Sequence, residues 1–133
     1  MMDQTQINDI IIILRDLVKD FDKTIDQAKL VKGKALGGDF SSTIHLARKV
    51  SVLVKKYKRI LNTLKDTDLS IADELSRKYI YTYKLYIETV SLPYIRDLIL
   101  EIKEIISNKE EQDPLSSKAL NDLIRELEEI NLS

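Results

Sequence analysis

The sequence predicts an all-α protein, an antiparallel helical bundle of four to five helices folded as a single domain over residues 1–133. Three observations lead there. Turn residues are scarce, with three glycines and two prolines in 133 residues, and a sandwich or barrel would need many more. Ile, Leu, Lys and Glu dominate, a mixture that favours long helices. Apolar residues recur at intervals of four and three along every long segment, the spacing of a bundle seam. The length suits one domain with its own core.

The first helix is expected from about Gln6 to Lys32. Its seam is Ile7, Ile11, Leu14, Val18, Phe21, Ile25 and Ala28, widened by Ile10 and Leu17. Gly33, Gly37 and Gly38 then break the pattern. Ser41 or Ser42 is the expected cap of a second helix that runs to about Lys65. Ala47, Val50, Val54, Tyr57, Leu61 and Leu64 form its seam, with Leu46, Leu53 and Ile60 beside them. Asp66-Thr67-Asp68 ends it, and Ser70 with Asp73 resembles a capping box for the third. That helix is expected to bury Ala72, Leu75, Tyr79, Tyr83, Tyr86 and Val90. Pro93 either kinks it or starts a fourth helix, in which Ile95, Ile99, Ile102 and Ile106 continue the seam. After a polar loop over Asn108–Gln112, Asp113-Pro114 opens a short last helix with Leu120, Leu123, Leu127 and Ile130 inward.

Several function classes lose their usual residues. There is no cysteine, which removes disulfides, thiolate zinc sites and cysteine nucleophiles. His45 is the sole histidine, and no Glu-x-x-His pair exists for a carboxylate-bridged metal centre. Asp9, Asp16 and Asp20 share the polar face of the first helix and read as solubilising charges. Gly33-Lys34-Ala35-Leu36-Gly37-Gly38 lacks the order of a phosphate-binding loop and follows a helix rather than a strand. No catalytic residue, metal site or cofactor is expected, and the chain reads as non-enzymatic. Its longest apolar run, Ile10–Leu14, is too short to span a bilayer. The expectation is a soluble, cytoplasmic protein without a membrane role.

Charge is the most uneven feature. The net charge is −1, yet residues 29–65 hold ten Lys and Arg against the single acid Asp39. Residues 96–133 hold ten acids against five bases. At about 100° per residue, Arg48, Lys55 and Arg59 point away from the seam of the second helix, with Lys49 and Lys56 beside them. Such a ridge suits a nucleic-acid backbone, which attracts clustered cations through counterion release. It also suits an acidic protein surface, or it is simply a solvated face that pairs with the acidic helices.

Two apolar patches suggest contact with partners or with copies of the chain. Ile13 points away from the first helix's seam. Tyr81, Leu85 and Leu92 form a second edge on the third helix, near Arg77 and Lys78, unless another helix covers it. The role would then be that of a homo-oligomer or complex subunit, or of a virion or complex scaffold that binds only proteins.

One family resemblance bears on these readings. Leu46-Ala47-Arg48-Lys49, Lys55-Lys56-Tyr57-Lys58-Arg59-Ile60 and Leu75-Ser76-Arg77-Lys78-Tyr79-Ile80-Tyr81 resemble the small all-helical subunit of type III CRISPR effector complexes. The likeness covers Leu46 to about Tyr86. It implies a non-catalytic subunit that stacks in several copies and touches nucleic-acid backbone through basic helix faces. The residues it would assign to that contact are Arg48, Lys49, Lys55, Lys56, Arg59, Arg77 and Lys78.

Overall fold

The structure is a computed structural model that describes residues 4–108 and 114–130. All its regular elements are helical. The chain begins with α1, Gln4–Leu36, which is longer at both ends than its sequence pattern suggested. Ile7, Leu14, Phe21 and Ala28 are fully buried along its inner stripe, and Ile11 and Val18 pack at the margin. Gly33 does not end the helix. Gly38 does, at φ +89°, because only glycine adopts that conformation without strain. Gly38 N–H donates to Ala35 O and Asp39 N–H to Lys34 O, which satisfies the last carbonyls of α1.

The second rod, α2, spans Thr43–Lys65, and every residue of its expected seam is buried or half-buried. Ser42 stands at its N-cap position but makes no capping bond, and its hydroxyl is buried without a partner. Ser41 instead donates from both N–H and Oγ to Asp39, closing the preceding turn. After a short 3-10 turn at Leu69–Ile71 comes α3, Glu74–Tyr86. Its cap is Asp73 itself, which accepts from Ser76 N–H at 2.7 Å. Ser70 belongs to the turn before it and is not part of a capping box.

Pro93 does not break the third rod, which stays helical through it. Five residues, Ile87–Ser91, form a π-helical turn that carries α3 into α4, Leu92–Ser107. Leu92 N–H donates to Ile87 O, five residues back. The wider turn accommodates the proline, which has no N–H for an ordinary α bond. The last helix, α5, spans Pro114–Glu128. Asp113, its expected start, lies outside the described residues, as do residues 109–112 of the expected loop.

Consecutive rods alternate in direction, so the fold is an up-down-up-down bundle. Its neighbours are less regular. Gln4 bonds Ser76, Lys29 sits over the Tyr94 ring, and Lys32 pairs with Glu101. The α3–α4 rod therefore runs parallel to α1 at its side. Ser51 bonds Glu126 and Lys58 pairs with Glu129, so α5 runs parallel to α2. The α2–α3 connection crosses the bundle diagonally. Tyr57, fully buried on α2, spans the same diagonal and donates to Glu88 at 2.9 Å. Burying a side chain of this size contributes about 1.5–3 kcal/mol.

The third rod corrects the sequence reading most. Leu75, Tyr79, Tyr86 and Val90, expected in the core, are exposed, and Tyr83 is half-buried. The buried face is Ser76, Ile80, Ile87 and Ser91. Among the described residues the α3 segment packs chiefly on α1 and has no extensive contact with α5, so it buries one narrow stripe. Leu92, expected on an exposed edge with Tyr81 and Leu85, is only 2% exposed. The π turn inserts an extra residue, which rotates α4 by about 100° relative to α3 and swings Leu92 inward. Tyr81 and Leu85 remain exposed, and among the described residues no helix covers them.

Candidate nucleic-acid interface

The basic ridge lies along α2, at the outer corner of the bundle. The inner stripe of α2 is consumed by α1 and α5, so residues on the opposite side have only solvent to face. Arg48, Lys49, Lys55, Lys56 and Arg59 are all exposed. From Arg48 to Arg59 the ridge runs about 16 Å at 1.5 Å per residue, enough to follow several backbone phosphates. Val52 lies among these cations and is also exposed.

Acids of α5 and of the turn just after it reach α2 but stop on its flank. Glu126 accepts from Ser51 at 2.8 Å, and Glu129 pairs with Lys58 at 3.4 Å. Among the described residues, Arg48, Lys55, Lys56 and Arg59 have no ion pair with any of them. Lys49 donates only to the neutral Gln27 of α1, at 3.3 Å. The acidic last helix therefore leaves the ridge uncovered.

A groove of about 500 Å³ borders the ridge where α1 meets α2. Arg48, Lys49 and His45 line one wall, and Asp20, Lys23 and Gln27 the other. His45 is exposed on this rim. Lys23 was not singled out in the sequence because it alternates with acids, between Asp20, Asp22 and Asp26, and so shows no local basic pattern. On the far side of α2, Lys58 and Lys65 share a cleft of about 610 Å³ with Lys84 of the third rod.

Arg77 and Lys78 are exposed as well, but on α3. That segment packs on α1 and lies diagonally across from α2. The structure therefore brings five of the seven expected cations onto one helix and leaves these two as a separate group. Of the expected partner contacts, Ile13, Tyr81 and Leu85 are exposed, and Leu92 belongs to the core.

The carboxyls nearest to unusual electrostatics are structural. Asp39 is held below the ordinary aspartate range by hydrogen bonds from Ser41, and Asp73 by those from Ser76. Burial, reinforced by Glu88, pushes the Tyr57 phenol further above its ordinary range. None of these groups lies on the ridge. No cluster of three metal-ligating side chains occurs among the described residues, and no helix there is long and apolar enough to cross a membrane.

These features define a class, a helical bundle with one basic helix face and one exposed aromatic rod. Nothing narrows it further by kinship: no family model, no curated protein and no solved structure matches the chain.

Proposed function

We propose that this chain is a non-catalytic subunit that contacts nucleic-acid backbone through the outer face of α2 and assembles with copies of itself. The observation that carries the first part is the ridge of Arg48, Lys55, Lys56 and Arg59, exposed and unpaired among the described residues although an acidic helix lies alongside. Phosphate contact by such a face is largely independent of sequence. The overall charge of −1 favours a local contact over coating of a duplex. A place in a cytoplasmic nucleoprotein assembly fits this reading, as does the resemblance to the small helical subunit of type III CRISPR effectors.

The test is fluorescence anisotropy with labelled single-stranded and duplex RNA and DNA over a range of salt. Binding should weaken steeply as salt rises. Reversing Lys55, Lys56 and Arg59 to glutamate should weaken it on every sequence and reduce the salt slope by about one unit per lost contact. Unchanged affinity in the triple variant would sink the reading. A second reading, a scaffold that binds only proteins, is favoured by the exposed tyrosines of the third rod. Absence of binding to all four nucleic acids at low salt would select it.

A further inference from the structure

The residues expelled from the core of the third rod make a surface of their own. Leu75, Tyr79, Tyr83, Tyr86, Val90 and Tyr94 follow one side of α3, the π turn and the start of α4. Leu75 is 59% exposed, Tyr79 45% and Tyr94 44%. Residues 75–94 contain four charged side chains, Arg77, Lys78, Lys84 and Glu88. Helical spacing sends all four off this strip, in a chain that is 32% charged. Tyr79 and Tyr83 stack with ring centroids 6.2 Å apart, and Lys29 caps the Tyr94 end over its ring at 5.3 Å. The strip exposes on the order of 500 Å², near the upper end for a monomer's largest apolar patch.

We infer that this strip is the interface between two copies of the chain, packed antiparallel across a two-fold axis between Tyr83 and Tyr86. The spacing identifies the occupant. The six positions lie 4, 4, 3, 4 and 4 residues apart, the same from either end. An inverted copy therefore sets Leu75 against Tyr94, Tyr79 against Val90 and Tyr83 against Tyr86. A two-fold contact requires such self-matching, because each residue meets its counterpart twice. Larger rings meet smaller side chains in two of the three pairs, which lets the rods interdigitate. The six side chains of the strip carry no charge and so offer a strongly charged partner little to pair with, Lys29 at the Tyr94 end apart. Its area falls short of the roughly 800 Å² per partner of a standard interface, so the dimer forms with rising concentration. The inference rests on the self-assembly part of the proposed function and is independent of nucleic-acid contact.

Sedimentation velocity of the full chain, from about 5 to about 500 µM, reads the association. The expected result is a shift from 15.4 kDa towards twice that mass. The double variant Tyr79→Lys/Tyr86→Lys should associate at least about ten-fold more weakly, with unchanged helicity by circular dichroism. Register is read by cross-linking, which the absence of cysteine makes clean. A mixture of Tyr79→Cys and Val90→Cys proteins should form the mixed disulfide in preference to either homodisulfide. A wild-type chain that stays at 15.4 kDa throughout would overturn the inference. So would a double variant that associates as tightly as wild type, or homodisulfides that form as readily as the mixed one.

Discussion

Tyr57 shows how much can depend on one polar atom in a core. Its ring is fully buried on α2, and its hydroxyl donates across the bundle to Glu88. Glu88 in turn pairs with Lys84 at 2.9 Å. Tyr57→Phe keeps the packing and removes the donor. It should cost about 1.5–3 kcal/mol, the range for a hydrogen bond to a charged group, measured by urea unfolding. No change in midpoint would mean that Lys84 alone satisfies the carboxylate. The sequence placed Tyr57 in the core correctly because its neighbours at four and three residues are all apolar. Its link to Glu88 was not legible, since the two lie 31 residues apart on elements whose diagonal relation no local pattern encodes.

At the scale of elements, α1, α2, α4 and α5 were legible because each is flanked by two others and so buries a broad stripe. The α3 segment packs chiefly against one neighbour, α1, and the rule that apolar means inward fails there. Its inner face is built on Ile80 and Ile87 with two serines, while its richer stripe faces out. The π turn compounds the error by resetting the helical phase at Ile87–Ser91, which is why Leu92 was misplaced and Ile95 was not. The start of α3 depends on Asp73, whose carboxylate accepts the Ser76 N–H. Since that bond lowers its pKa below the ordinary 3.8, its contribution is present above that pH and is lost as pH falls through the lower folded value. Thermal melts should therefore hold steady at neutral pH and decline below about pH 4. Asp73→Asn retains a capping side chain but cannot be protonated in this range, so its decline should be shallower. Identical profiles for the two proteins would show that the cap contributes nothing to acid sensitivity.

For the molecule as a whole, the basic ridge on α2 and the tyrosine strip on the third rod sit on diagonal corners. Pairing through the strip would leave both ridges facing outward, so two copies could engage one polyanion and gain from effective concentration. The ridge was legible because ten basic residues crowd residues 29–65 and helical spacing fixes their direction. That α5 would stop on the flank was not, because it depends on how the rods are ordered around the core. That order also leaves α3 held chiefly against α1, while α4 is gripped by α1 and α5. Cooperative opening follows the number of neighbours that must be released. In the isolated monomer, amide protons over Glu74–Tyr86 should exchange with deuterium well before those over Leu92–Ser107, although the two segments form one uninterrupted rod. The π turn between them is the place where unfastening would halt, so the aromatic end of the molecule can loosen and refasten while the rest stays folded.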